Sequence, residues 1–110
     1  MTFHVHHIGV AACDVERTLA FYETLFDGRR EPLGGHMLVV AGELRVAVVP
    51  LRDDDPRGHA AGLHVAVALP TSARQDVEQR LRALGAPHEP ARSSLYVRDP
   101  DGLTLELVFT

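Results

Sequence analysis

The chain has 110 residues, 11 of them basic and 15 acidic, and a formal charge of −4 at pH 7. That length fits one domain, and 45% apolar with 24% charged residues is the balance of a globular chain, not a disordered one. Every basic residue is arginine, which excludes lysine Schiff-base chemistry and a P-loop lysine, while net acidity without a basic run argues against nucleic acid and no apolar run is long enough for a membrane helix.

The opening, MTFHVHHIGV, lacks a basic segment followed by an apolar one, so no signal peptide is expected. Phe3 to Val10 alternate as a strand, with Phe3, Val5, His7 and Gly9 on one face. The single cysteine, Cys13, has no partner for an internal disulfide, which points to a reducing, cytoplasmic setting. Asp14 is the expected N-cap of a helix carrying Val15, Leu19, Phe21, Tyr22, Leu25 and Phe26, and Gly28 is its expected stop. Short strands follow over Arg29 to Leu33, His36 to Ala41 and Leu44 to Val49, divided by turns at Gly34-Gly35 and Gly42-Glu43.

RDDDPRGHAAG, residues 52–62, reads as a linker. Leu63 to Leu69 is a strand; Thr71 or Ser72 caps a helix with the stripe Val77, Leu81 and Leu84, ending at Gly85. His88 to Pro90 and Leu95 to Arg98 are short strands. Asp99-Pro100-Asp101-Gly102 has turn chemistry, and Leu103 to Phe109 is the closing strand.

Strand, helix and three strands thus occur twice, an internal repeat of about 50 residues. The expected organisation is α+β: one domain over 1–110 made of two βαβββ modules, 1–51 and 63–110, joined by the linker. LRVAVV aligns with LTLELV, which sets Ala47 opposite Glu106; His7 to Ala47 is 40 residues and His64 to Glu106 is 42.

Seven histidines invite metal or proton-transfer chemistry. His64 shares a strand face with Ala66 and Ala68. Glu106 shares one with Thr104 and Val108, away from Leu103, Leu105, Leu107 and Phe109. Small and polar residues around one ionisable group describe a lined cavity. A carboxylate set between leucines is costly in a core and tolerable beside a cation. His7, His64 and Glu106 together would suit Fe, Mn, Ni or Zn with positions left open; the plainer alternative makes Glu106 a solvated residue and His64 a half-buried one. Arg45, on the Ala47 face, is either a forked anchor for an anionic substrate or a solvated arginine. Ser94, Tyr96 and Arg98 share a face, where Tyr96 either supplies a proton or hydrogen bond to an oxyanion or packs as a core tyrosine. His6 lies on the opposite face from His7, and His4, His36, His59 and His88 have no spacing partner.

HHIGVAACDVERTLAFYETLFDG resembles the opening of the vicinal oxygen chelate superfamily, with a histidine seven residues before an aspartate and a helix holding Phe-Tyr. GLHVAVALP resembles the start of that family's second module. SLYVRDPDGLTLELV resembles its closing strand pair, with the glutamate four residues after the turn glycine. The superfamily includes glyoxalase I, extradiol dioxygenases, fosfomycin-resistance enzymes and bleomycin-resistance proteins.

The resemblance implies a curved mixed sheet around a metal-binding cleft, with His7, His64 and Glu106 as ligands and Glu106 and Tyr96 as catalytic groups. Ser94 and Tyr96 sit where the fosfomycin enzymes have a serine and a tyrosine near substrate, and the strand faces add Arg45 and Arg98 as candidate substrate contacts. Glyoxalase I enzymes carry a further glutamate where this chain has Ala47, so the two-His, one-Glu set is closer to extradiol dioxygenases and fosfomycin enzymes. The implied function is a divalent-metal-dependent lyase, dioxygenase or transferase that chelates two neighbouring oxygens of a small substrate. The alternatives are a metal-free, bleomycin-resistance-type binding protein and a fosfomycin thiol transferase; the latter enzymes use a lysine that this chain lacks. Two-module members pair as dimers, and open sheet edges favour pairing, so a homodimer is expected.

Overall fold

Residues 2–51 and 64–110 are described by a computed structural model. The expected linker, 52–62, lies outside the described residues, as does Leu63. The chain divides into two units, Met1–Asp53 and Asp54–Thr110.

The first unit runs β1 (Ile8–Ala12), α1 (Val15–Phe26), β2 (Arg29–Leu33), β3 (His36–Ala41) and β4 (Leu44–Pro50). Its sheet has the order β1-β4-β3-β2, with β1 parallel to β4 and the other pairs antiparallel. The first strand starts at Ile8 rather than Phe3. Its ladder to β4 begins with Ile8 opposite Val46, and Phe3 and Val5 are 85% and 80% exposed, so among the described residues no apolar contact recruits them into the sheet.

Asp14 caps α1 as its position predicts, accepting a hydrogen bond from the Arg17 amide at 3.0 Å. At the other end Asp27, not Gly28, takes the left-handed conformation, with φ of 51°. Gly28 follows in the same motif, its amide donating to the Glu23 carbonyl. Glycine is needed there for a different reason: a Cβ would stand 2.8 Å from Val39 Cγ1 and 2.9 Å from the Val40 carbonyl oxygen. Gly28→Ala is therefore expected to cost about 1–3 kcal/mol through overpacking. Gly9→Ala, where a Cβ meets nothing within 4 Å, is expected to cost far less. Denaturant titration of the two variants checks the contrast.

The apolar side of α1 covers the sheet. Leu19, Phe21, Tyr22 and Leu25 are buried, as are Val39, Val46 and Val48. On the sheet's other face Leu38, Val40 and Ala47 form a second buried cluster, with Leu33 against it. Arg30 ties β2 to α1, gripping Glu16 with both terminal nitrogens at 2.7 and 2.8 Å and reaching Glu23 at 3.3 Å. The Arg30 hydrogen bonds hold the Glu16 carboxyl below its ordinary value of 4.5. A lowered folded-state value means stability that is present above that ordinary value and lost as the pH falls through the lowered one. The melting temperatures of the wild type and Arg30→Gln should consequently differ at neutral pH and converge in acid. A gap that persists at the acid end would contradict this account.

The second unit repeats the plan: β5 (Val65–Leu69), α2 (Arg74–Leu84), β6 (His88–Pro90), β7 (Ser94–Arg98) and β8 (Thr104–Phe109), in the order β5-β8-β7-β6. Neither Thr71 nor Ser72 caps α2 with its side chain. A 3-10 turn over Thr71–Ala73 leads into the helix instead, and its backbone bonds use the first amides: Ala73 donates to Pro70 and Arg74 to Thr71. Gly85 closes α2 in the left-handed conformation, as expected. Val77 and Leu81 are fully buried, whereas Leu84 is half-buried. Leu95, Val97, Leu105 and Leu107 of the sheet are almost fully buried as well.

Candidate functional site

Strand β8 alternates as its sequence predicts. Leu105, Leu107 and Phe109 are buried, while Thr104, Glu106 and Val108 are half-buried on the opposite face. The Asp99-Pro100-Asp101-Gly102 turn sets this register. The Gly102 amide donates to the Asp99 carbonyl at 3.0 Å, and Asp99 Oδ1 accepts from the amides of Asp101 and Leu103, both at 2.9 Å. Asp99 itself is only 5% exposed, and these bonds satisfy its carboxylate. The turn thus fixes where β8 begins and hence the face that Glu106 occupies.

On the Glu106 face, β5 runs parallel to β8 with Ala66 opposite Glu106, and β7 runs antiparallel with Tyr96 opposite it. Ala66 and Ala68 are exposed and too small to cover the neighbouring carboxylate. His64 stands one residue before β5, and its Nε2 comes within 3.2 Å of Glu106 Oε1. Both side chains stay open to solvent, at 40% and 22% exposure. The Tyr96 ring, 40% exposed, has its centroid 6.4 Å from that of His64. Arg98 is exposed on the same strand face, whereas Ser94 is buried.

The two units use one register. Gly9 pairs with Ala47 in the first, and Ala66 pairs with Glu106 in the second. His7 and His64 each precede their first strand by one residue. Ala47 is therefore the repeat counterpart of Glu106, as the sequence alignment predicts. In the first unit His7 is exposed, with Nδ1 2.8 Å from His6 Nδ1. Arg45, half-buried, brings Nη1 to 3.3 Å from His6 Nε2. His6 is thus a neighbour of both His7 and Arg45. Strand alternation hides this contact, because residues 2–7 precede β1 and are not held to its period.

Of the expected ligands, then, the structure brings His64 and Glu106 together within one unit, and His7 lies in the other. Among the described residues no three His, Cys, Asp or Glu side chains form a group able to hold a metal ion. The pair itself fits two ligands of one ion. Donors each about 2.1 Å from a metal lie roughly 3 Å apart when adjacent, close to the observed separation. An imidazole nitrogen with a carboxylate oxygen is also the donor chemistry that Fe, Mn, Ni and Zn accept.

The sequence profile of the Glyoxalase/Bleomycin resistance protein/Dioxygenase superfamily matches residues 4–107. The chain belongs to this superfamily. Solved structures show the same superfamily fold. FosX, a fosfomycin resistance protein from Mesorhizobium loti, is 23% identical with a TM-score of 0.81, covering 100% of this chain and 94% of its own. FosX from Listeria monocytogenes is 21% identical with a TM-score of 0.81, covering 100% and 93%. The oxidase ChaP-H2 is 19% identical with a TM-score of 0.79, covering 100% and 95%. The Listeria protein has also been solved with Mn(II) and sulfate. No curated protein sequence matches the chain. Among the described residues, no helix is long and apolar enough to cross a membrane.

Proposed function

We propose that the protein is a divalent-metal-dependent enzyme acting on a small substrate with two neighbouring oxygens. The observation that carries this reading is the meeting of His64 Nε2 and Glu106 Oε1 at 3.2 Å on an open sheet face. His7, the repeat counterpart of His64, is the third ligand, from the same chain or from a second copy. When bound, the ion supplies Lewis acidity to the substrate oxygens and leaves positions for them to occupy.

The chain's own residues hold and shape the site. Glu106 brings a carboxylate oxygen and His64 an imidazole nitrogen, the hard and borderline donors such a cation takes. Tyr96, opposite Glu106, offers a hydroxyl that can donate to a substrate oxygen as charge builds on it. Arg45 offers a guanidinium for an anionic group of the substrate. Ser94, buried at the start of β7, adds a hydroxyl on the strand face that carries Tyr96.

Support for the reading comes from the superfamily and from the Mn(II) found in a FosX neighbour. The reaction is of lyase, dioxygenase or transferase type, and a thiol transfer of the fosfomycin kind is one form of it. A homodimer is part of the proposal, since each unit's sheet ends on two outer strands that a second copy can cover; light scattering should return twice the monomer mass. A cytoplasmic setting suits a chain with a single cysteine.

The test is metal analysis of protein purified without chelator. Wild type should carry a stoichiometric transition metal that His64→Ala loses. A metal-free wild type that binds aromatic drugs would overturn the reading in favour of a sequestering protein.

A further inference from the structure

At the β6 side of the second unit's sheet lies a hollow of about 390 Å³, lined among others by Glu89, Tyr96, Arg98 and Thr104. Its volume falls within the range of small-molecule sites. Glu89 stands directly opposite Tyr96 in the β6–β7 ladder. Arg98 is two residues from Tyr96 on β7, which makes it the diagonal neighbour of Glu89, at a Cα separation of roughly 7–8 Å. The two opposite charges do not pair with each other. Glu89 has no side-chain partner among the described residues, and the Arg98 guanidinium makes only a 3.5 Å approach to the Gly102 carbonyl.

A carboxylate and a guanidinium that share a hollow without pairing select for charge pattern. An anion would meet repulsion from Glu89 and a cation would meet it from Arg98. A neutral ligand would gain from neither charge. A molecule carrying both signs on groups one carbon apart gains from each. The exposed Tyr96 ring beside Glu89 adds an aromatic face, which attracts an ammonium group.

We propose that this hollow binds the zwitterionic head of a free α-amino acid. Glu89 and the Tyr96 ring take the ammonium, and Arg98 takes the carboxylate as a forked pair. Amino acid and metal-bound substrate would then share the β7–β8 face, with Tyr96 between them. The assignment rests on the reading that this face receives the substrate, but it does not need the metal.

The test titrates the full chain, freed of metal by chelator, with L-alanine, ethylamine and propionate, and follows backbone amide shifts. Alanine should saturate, move the amides of Glu89, Tyr96 and Arg98, and bind about tenfold more tightly than either single-charge analogue. Glu89→Gln should bring alanine down to the level of propionate, and Arg98→Gln should bring it down to that of ethylamine. Both residues are exposed, and unchanged melting temperatures would confirm intact folding. Equal affinity for the three probes, shifts confined elsewhere, or variants that bind like wild type would each overturn the proposal. Alanine binding by a protein that never takes up metal would uphold the clamp and sink only the metal reading. Metal uptake at His64 and Glu106 without alanine selectivity would do the reverse.

Discussion

Glu106→Gln is expected to abolish tight binding of a transition-metal ion. The amide keeps the size of the side chain and can still hydrogen-bond to His64 Nε2, so the fold should survive. It removes the one negative charge among the proposed ligands. Losing an outer hydrogen-bond partner of a metal ligand costs about 10- to 100-fold in affinity, and losing the ligand's charge should cost more. The effect can be read without any knowledge of substrate. Metal present at about 100 times its dissociation constant stabilises the folded chain by about 2.7 kcal/mol. Thermal melts with and without Mn(II) or Zn(II) should show that gain in wild type and none in Glu106→Gln. An equal gain in both proteins would move the metal to other residues.

The largest effect on stability is expected at Leu25. This residue is fully buried on the side of α1 that packs on β3 and β4. Truncation to alanine removes most of its buried surface and leaves a cavity, at a cost of about 2–5 kcal/mol. Whole domains are stable by only about 5–15 kcal/mol, so the first unit loses much of its margin. Val77 and Leu81 are the fully buried residues of α2. Leu81→Ala should weaken the second unit by a similar amount. A denaturant midpoint that hardly moves for Leu25→Ala would show that α1 is not the cover of its sheet.

Period and punctuation made most of the fold readable. Asp14, Gly85 and the Asp99–Gly102 turn act through their own backbone and near neighbours, so their roles follow from local sequence. The alternation in β8 holds because one face is buried under apolar cover, which leaves Glu106 on the other. The errors arose where partners decide. Phe3 and Val5 have strand-like residue types, yet no strand among the described residues pairs with them. Thr71 and Ser72 are good capping types, but the 3-10 turn had already used the amides they would have capped. Gly28 takes part in the helix stop as its position predicts, but its tighter constraint is the approach of Val39 and Val40 from β3, which local sequence does not show.

The candidate site divides in the same way. The meeting of His64 with Glu106 follows from alternation, because β5 lies beside β8 and His64, two residues before Ala66, takes the face that Ala66 shares with Glu106. The contact of His6 with His7 and Arg45 does not follow, since it forms ahead of the first strand. The face that Glu89 takes could not be read from sequence, because β6 is only three residues long and too short to show a period.

The most direct test is a crystal of the full chain grown with Mn(II), with anomalous scattering recorded to locate the ion. The account predicts one strong peak within about 2.0–2.3 Å of His64 Nε2 and of a Glu106 oxygen, completed by a His7 imidazole from the same or a second chain. An ion bound elsewhere, or a His64–Glu106 pair that holds none while His7 lies in solvent, would contradict it.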